Sequence, residues 1–383
     1  MAASDYSGFD FARRYDLAVV GAGIVGLAAA LAAARRGLSV AVIDRDAQAN
    51  GASVRNFGFI TVTGQERGAM WARARRSRDV WREVAAAAGI PVLHTGLWML
   101  ARRPESMAVL DAFLATEMAG GCRLVTPQEA RQRCPPLTAP GLAAVLESTV
   151  ELRVESREAI PLLAAWLARA HGVAFLRNTA VQGIELPVVR TSRGAVQAGR
   201  VAVCPGDDFT GLYAERFSRY PLTRCRLQML RLASPGFTLP GAFMSDLGLA
   251  RYSGYADLPA AQPLKARLAR EQAQHLRHGV HLIVVQSADG SLVVGDSHFY
   301  APTPHPFVPV QEEALILDEF RQALGMEPPA VLERWTGTYA SASDRAVLLD
   351  APEERVRIAT VTTGAGASTG FAFGEEVVAS LFD

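Results

Sequence analysis

The 383-residue chain is short of lysine, with Lys265 as its only one, so Arg supplies nearly all of the 39 basic residues. A phosphate-binding P-loop, which needs a Gly-Lys pair, is excluded, and Lys265 is the lone amine for Schiff-base chemistry. It sits in Pro-Leu-Lys-Ala-Arg-Leu-Ala-Arg-Glu-Gln, an amphipathic helical pattern that reads as a solvated face. Net charge is also lacking: 38 acidic residues leave a balance of +1, which gives no basic field for nucleic acid or an anionic membrane. Cysteine is scarce. Cys122, Cys134, Cys204 and Cys225 form no Cys-x-x-Cys pair, which argues against a zinc site and a secreted disulfide framework and for a cytoplasmic setting.

No low-complexity tail or internal repeat is present, and half the residues are hydrophobic, so the chain is long and apolar enough for two or three folded units. A small molecule is the expected partner. The uncharged run from Leu17 to Ala34, preceded by Arg13-Arg14, resembles a signal peptide or membrane span, but its glycines point elsewhere.

Asp16 to Val20 reads as a buried strand, and Gly21-Ala-Gly-Ile-Val-Gly26 follows it. An Ala/Leu-rich helix then runs to Arg36 and stops at Gly37, and a second strand, Leu38 to Ile43, ends on Asp44. A Gly-x-Gly-x-x-Gly between strand and helix, with an acid about 20 residues on, is a dinucleotide-binding fingerprint. Gly21 permits the tight turn, Gly23 the approach of backbone N–H groups around Ile24 and Val25 to a pyrophosphate, and Gly26 the packing of helix on strand. Asp44 suits ribose hydroxyls, which disfavours NADP and leaves NAD and FAD open.

Asn50-Gly-Ala-Ser-Val-Arg-Asn-Phe-Gly58 places a second small-residue loop directly after the acid. Gly51-Ala52-Ser53 with Asn56-x-Gly58 resembles the second flavin loop of the D-amino-acid oxidase, glycine oxidase and sarcosine oxidase superfamily. Thr179 to Glu185, around Val181, resembles that superfamily's adenine-bracketing strand, and Arg200 to Gly206 its later glycine-ended strand. Val361 to Glu376 resembles the loop and helix that close over the isoalloxazine ring. The resemblance spans essentially the whole chain. It implies FAD, expected to be noncovalent because no cysteine is placed in the flavin loops. The implied cofactor residues are Gly21, Gly23, Ile24, Val25, Gly26, Asp44 and Arg45. They continue with Ala52, Ser53, Asn56, Phe57 and Gly58, then Val181 and Gly206, and finally Gly364, Gly366, Ala367, Ser368 and Thr369.

The implied fold is α/β plus antiparallel β: a Rossmann-like FAD-binding domain and a discontinuous substrate domain on a mixed or antiparallel sheet. The expected boundaries are 1–92, 150–215 and 331–383 for the first, and 93–149 and 216–330 for the second. Strands are read at Gly96 to Ala101, Arg226 to Leu232, His281 to Val285 and Ser291 to Gly295, with Asp289-Gly290 as a hairpin turn between the last two.

The implied reaction removes hydride from a carbon bearing an amine, with no acid or base assigned, and passes electrons to oxygen or another acceptor. Trp335-Thr-Gly-Thr-Tyr339 departs from the superfamily's Trp-x-Gly-x-Arg-Pro, whose arginine clamps a carboxylate. Ser53 to Gly58, Arg226 to Met229, Gly295 to His298 and the small-residue run to Gly370 are similar to a clade proposed to deaminate aminophosphonates related to 2-aminoethylphosphonate. His298 and Tyr300 are the first anchors expected for the acidic group, followed by Gln228, Arg55 and Tyr339. Each has a plainer alternative: His298 in a surface loop, Arg55 on the pyrophosphate or an acid, Gln228 on the polar side of a sheet. Glycine, sarcosine, D-amino acids and 2-hydroxy acids are the alternative substrates, and a non-catalytic flavin subunit the alternative class. No metal is expected, because His275, His278 and His281 have no acid or cysteine beside them in sequence.

Overall fold

A computed structural model describes residues 9–383. The strand Arg14–Val20 lies at the centre of the first sheet, parallel both to Val40–Ile43 and to Gly194–Val203. Ala174–Leu176 extends one edge, and Val356–Val361 with the antiparallel Val347–Glu353 extends the other. These strands are apolar at successive positions because both faces are covered. Leu17 and Val19 pack into one core cluster, and Ala18 points into another.

The helices Ile24–Arg35 and Gly366–Phe382 share the first of those clusters. The run Ala28-Ala29-Ala30 has almost no side-chain depth, and Gly374 faces it: a Cβ there would lie 2.6 Å from the Ala28 carbonyl carbon and the Ala29 nitrogen. Small residues on both sides therefore let the two backbones touch.

The second sheet runs Phe299–Ala301, Leu222–Leu232, Leu292–Gly295, Ile283–Gln286, Ala242–Ser245, Val92–Ala101, Ala144–Val154 and Phe59–Ile60. It is antiparallel except where Ala242–Ser245 meets Val92–Ala101. The hairpin expected around Asp289-Gly290 is present, with Gln286 opposite Leu292 and Gly290 at φ 81°.

Strand membership differs from the expected boundaries in two places. Val331–Ala342 pairs along its length with Leu222–Leu232, so it belongs to the second sheet although 331–383 was expected to belong with the first. Ala144–Val154 and Phe59–Ile60 lie in the second sheet too, so the crossovers between sheets fall inside the segments 1–92 and 150–215. The physical reason is pairing: an amphipathic strand goes where hydrogen-bonding partners are free, and sequence order does not record that. No helix among the described residues is long and apolar enough to cross a membrane, and the Leu17–Ala34 run is divided between a strand, a turn and a buried helix.

Gly374→Leu forces the two helices apart and is expected to destabilise the protein by about 1–3 kcal/mol or more, as overpacking does. Gly120→Ala, where φ is −57° and nothing lies within 4 Å of the added Cβ, is expected to change stability by less than about 0.5 kcal/mol. Urea denaturation of both variants checks the pair.

Candidate active site

A cavity of about 750 Å³ takes its lining from both sheets. At one end the Arg14–Val20 strand stops at Gly21, whose φ of 104° suits glycine and whose Cβ would collide with the Cys204 carbonyl oxygen. Gly26 is held just as closely by the Gly21 carbonyl. At Gly23 a Cβ would press at 3.0 Å on the Ser53 hydroxyl, which itself accepts the Ile24 N–H at 2.9 Å. The start of the Ile24–Arg35 helix, with Ile24 and Val25, thus opens onto the cavity. Asp44 lies beside it and accepts the N–H groups of Ala22 at 2.5 Å and Asp46 at 2.8 Å. Arg45 stands at the rim, paired with Asp208 at 2.7 Å.

The 51–58 loop wraps the same end. Ala52, Ser53, Asn56 and Phe57 line the cavity, and Asn56 also shapes the loop: its amide donates to the Ala52 carbonyl, and its oxygen accepts Gly58 N–H and the Ser156 hydroxyl. Gly58 does not line the cavity; it has φ 65° and its Cβ would strike the Val154 carbonyl, so its role is a chain crossing. Val181, Gly206, Gly364, Gly366, Ala367 and Ser368 all reach the wall. Thr369 does not, because its hydroxyl turns back to the Ala365 carbonyl at 2.8 Å. Cys204, at the end of the Gly194–Val203 strand and outside the glycine-rich loops, does line the cavity, and burial pushes its thiol up to about 12.

His298, Tyr300, Tyr339 and Arg55 all line the same cavity, and Gln228 does not. Leu227 faces the cavity, so the two-residue alternation of its strand turns Gln228 away. Arg55 is engaged locally, donating to Asn50 at 3.1 Å and the Thr336 carbonyl at 3.4 Å. Tyr339 stacks under Gly364, whose Cβ would lie 3.0 Å from the ring.

Sequence reasoning missed Arg251, Tyr252, His281 and Asp296, which line the same cavity. Arg251 ends the short helix Leu247–Arg251 and donates to the Tyr300 hydroxyl at 3.0 Å, with no carboxylate ion pair among the described residues. Burial works against its charge, but Tyr300, Tyr339 and Asp296 more than offset that and raise its pKa. No local motif marks Arg251, because only the fold of the second sheet delivers it.

His281 and Asp296 exchange backbone hydrogen bonds across the hairpin, at 3.2 and 3.0 Å. Folding therefore brings these histidines the acids that the sequence does not place beside them, which overturns the ground for expecting no metal: Asp296 lies 3.1 Å from His281, Asp318 3.2 Å from His275 and Glu312 4.0 Å from His278. Burial pushes the Asp296 carboxyl up to about 8 against the pull of Arg251. It also holds His281 and His298 well below the usual imidazole range, with Arg251 adding to the effect.

A glycine turn and helix start at one end of a cavity, and a ring of His, Tyr, Arg and Asp at the other, define a nucleotide-cofactor oxidoreductase. Residues 16–380 match the family model described as DAO, FAD dependent oxidoreductase, and the chain belongs to that family and is FAD-dependent. Its fold is similar to that of glycine oxidase from Bacillus cereus, at 18% identity and TM-score 0.75, covering 95% of this chain and 94% of that one. It is also similar to L-proline dehydrogenase from P. horikoshii, at 20% identity and TM-score 0.75, covering 96% and 92%. L-α-glycerophosphate oxidase from Mycoplasma pneumoniae, a structure with FAD bound, aligns at 14% identity and TM-score 0.74 over 96% and 95%. A search of curated proteins found no match.

Ser53→Ala leaves the Ile24 N–H without its acceptor. The expected loss is about 1 kcal/mol of stability, read by urea denaturation of flavin-free protein.

Proposed function

We propose that this protein oxidises a small amine bearing an acidic group, and that the substrate is an aminophosphonate related to 2-aminoethylphosphonate. The observation that carries this reading is Arg251, a guanidinium at the cavity wall that donates to the Tyr300 hydroxyl and makes no ion pair with a carboxylate among the described residues. Its fork suits an anion with several oxygens, by charge-assisted hydrogen bonds. Tyr339 stands where the superfamily's carboxylate-clamping arginine is expected, which favours an acidic group held from Arg251, Tyr300 and His298 over an α-carboxylate held from the usual place. Among proteins of similar fold, one is named for a phosphate ester and others for amino acids.

In the same reading Gly21, Gly23 and the Ile24 helix start would hold the pyrophosphate of FAD, and Gly364 to Ser368 would hold its ring. The small residues fit that placement, since Gly23 leaves space that a larger side chain would fill. Asp44 keeps carboxylate lone pairs for ribose hydroxyls beyond its two backbone bonds. A noncovalent cofactor is supported by Cys204, the thiol nearest the site, which burial keeps protonated and unreactive. Four free cysteines support a cytoplasmic setting.

The chemistry that bound FAD would supply is that of an acceptor for the hydride from the carbon next to nitrogen, with the electrons passing on to oxygen or another acceptor. The protein's share is positioning. Arg251 and Tyr300 hold the acidic group, buried Leu227 and Ile283 exclude water from the cavity wall, and Tyr339 packs beneath the Gly364 turn.

Anaerobic addition of aminophosphonates, glycine, sarcosine, D-amino acids and 2-hydroxy acids to the purified flavoprotein tests the reading through bleaching of the oxidised-flavin band. Aminophosphonates are expected to bleach it at the lowest concentration; bleaching by glycine or sarcosine first replaces the phosphonate reading with a general amino-acid one. Arg251→Met is expected to raise the apparent KM for the acidic amine about 10- to 100-fold with the flavin spectrum unchanged, the range of a lost charged hydrogen bond. An unchanged KM removes Arg251 as the anchor.

A further inference from the structure

We propose that His281, Asp296 and His298 form a binding site for a divalent transition cation of the zinc type in the cavity wall. One ligand atom from each lies within 4.8 Å of the others. His281 Nδ1 stands 3.1 Å from one Asp296 oxygen, and His298 Nε2 stands 3.7 Å from the other. Ligand atoms that share a tetrahedral zinc ion are about 3.3 Å apart, so these separations bracket what an ion requires.

The outer hydrogen bonds orient both rings toward Asp296. His298 Nδ1 meets the Gly279 carbonyl at 2.9 Å; a carbonyl only accepts, so Nδ1 carries the proton and Nε2 presents its lone pair. His281 Nε2 meets the Tyr252 hydroxyl at 3.2 Å, which leaves Nδ1 as the inward atom. Ligating histidines are commonly held by such partners. The inward atoms themselves are unsatisfied: His281 Nδ1 and Asp296 Oδ1 are close, yet they are not aligned for a hydrogen bond, and neither has another partner. Their side chains are 4% and 5% exposed, so bulk water does not offset the omission. The His298 Nε2 lone pair, the His281 Nδ1 atom and the Asp296 carboxyl group thus converge on one point.

Two imidazoles and one carboxylate select zinc, cobalt or nickel over magnesium and calcium, which take oxygen ligands. The opposing charge is Arg251, and the Asp296 carboxylate offsets it. Because all three side chains line the cavity, an anion entering it can complete the coordination shell. The site shares His298 with the proposed substrate anchor, but its test is separable from that reading, since metal content is measured without substrate.

The test uses the FAD-loaded protein, expressed without a polyhistidine tag, stripped with EDTA, equilibrated with zinc sulfate and passed through gel filtration. Elemental analysis is expected to find one zinc per chain in the wild type and almost none in Asp296→Asn or His281→Gln, each checked for native flavin absorbance. Wild-type protein that emerges without zinc overturns the proposal, as do flavin-loaded variants that keep the full amount. X-ray absorption at the zinc edge of the wild type decides the matter without any variant. A nitrogen and oxygen shell at about 2.0–2.1 Å with two imidazoles supports the site, and a sulfur-containing or single-imidazole shell rejects it.

Discussion

The contact on which the rest of the molecule depends is the approach of bare backbone to bare backbone around the Arg14–Val20 strand. Gly21 lies against the Cys204 carbonyl, Gly26 against the Gly21 carbonyl, and Gly374 against Ala28 and Ala29. Three segments far apart in sequence are thereby stacked without side chains between them. The strand ends, the Ile24 helix start and the Gly364 turn then open onto one cavity, because nothing bulky separates the elements that carry them. Close packing of this kind leaves no room for an added methylene.

The two ends of the cavity differ in how they are built. The glycine end is made from main chain: turns, a helix start and N–H groups fixed by Ser53, Asp44 and Asn56. The far end is made from side chains of the second sheet, and several of them are buried and polar. Arg251 lowers the pKa of Asp296, His281 and His298 alike, whereas burial acts on carboxyl and imidazole in opposite directions, raising Asp296 and lowering the histidines. The result is a wall of neutral rings and a protonatable carboxyl around one persistent cation.

This difference explains what the sequence made legible. Gly21 to Gly26, Asp44, the 51–57 loop and Gly364 to Ser368 were readable because main-chain sites require glycine and small residues at fixed spacing along one stretch of chain. Gly58 and Thr369 carried the same small-residue signal and serve packing instead, since a motif records conformation and not the direction a residue faces. Arg251 left no local trace. The His281–Asp296 pair was only partly legible: the Asp289-Gly290 hairpin was readable, but its register, with Ile283 opposite Gly295, carried outward sets His281 against Ser297, and a one-residue shift beyond the ladder brings it to Asp296. Strand-to-sheet assignment at Val331–Ala342 was beyond reach, because pairing partners are chosen in three dimensions.

The Gly364 turn has a consequence for the order of assembly during synthesis. It rests on the Tyr339 ring and is followed by the Gly366–Phe382 helix, which seats against the Ala28-Ala29 backbone. A nascent chain that already displays the Gly21 turn and the 51–57 loop still lacks this wall and the support of that helix. Until then the early half of the cavity is open on one side, so a nucleotide that meets it can be touched but not enclosed. Enclosure of the cavity has to follow translation of the last segments, because its final wall and the helix that supports it are the last parts of the chain to be made.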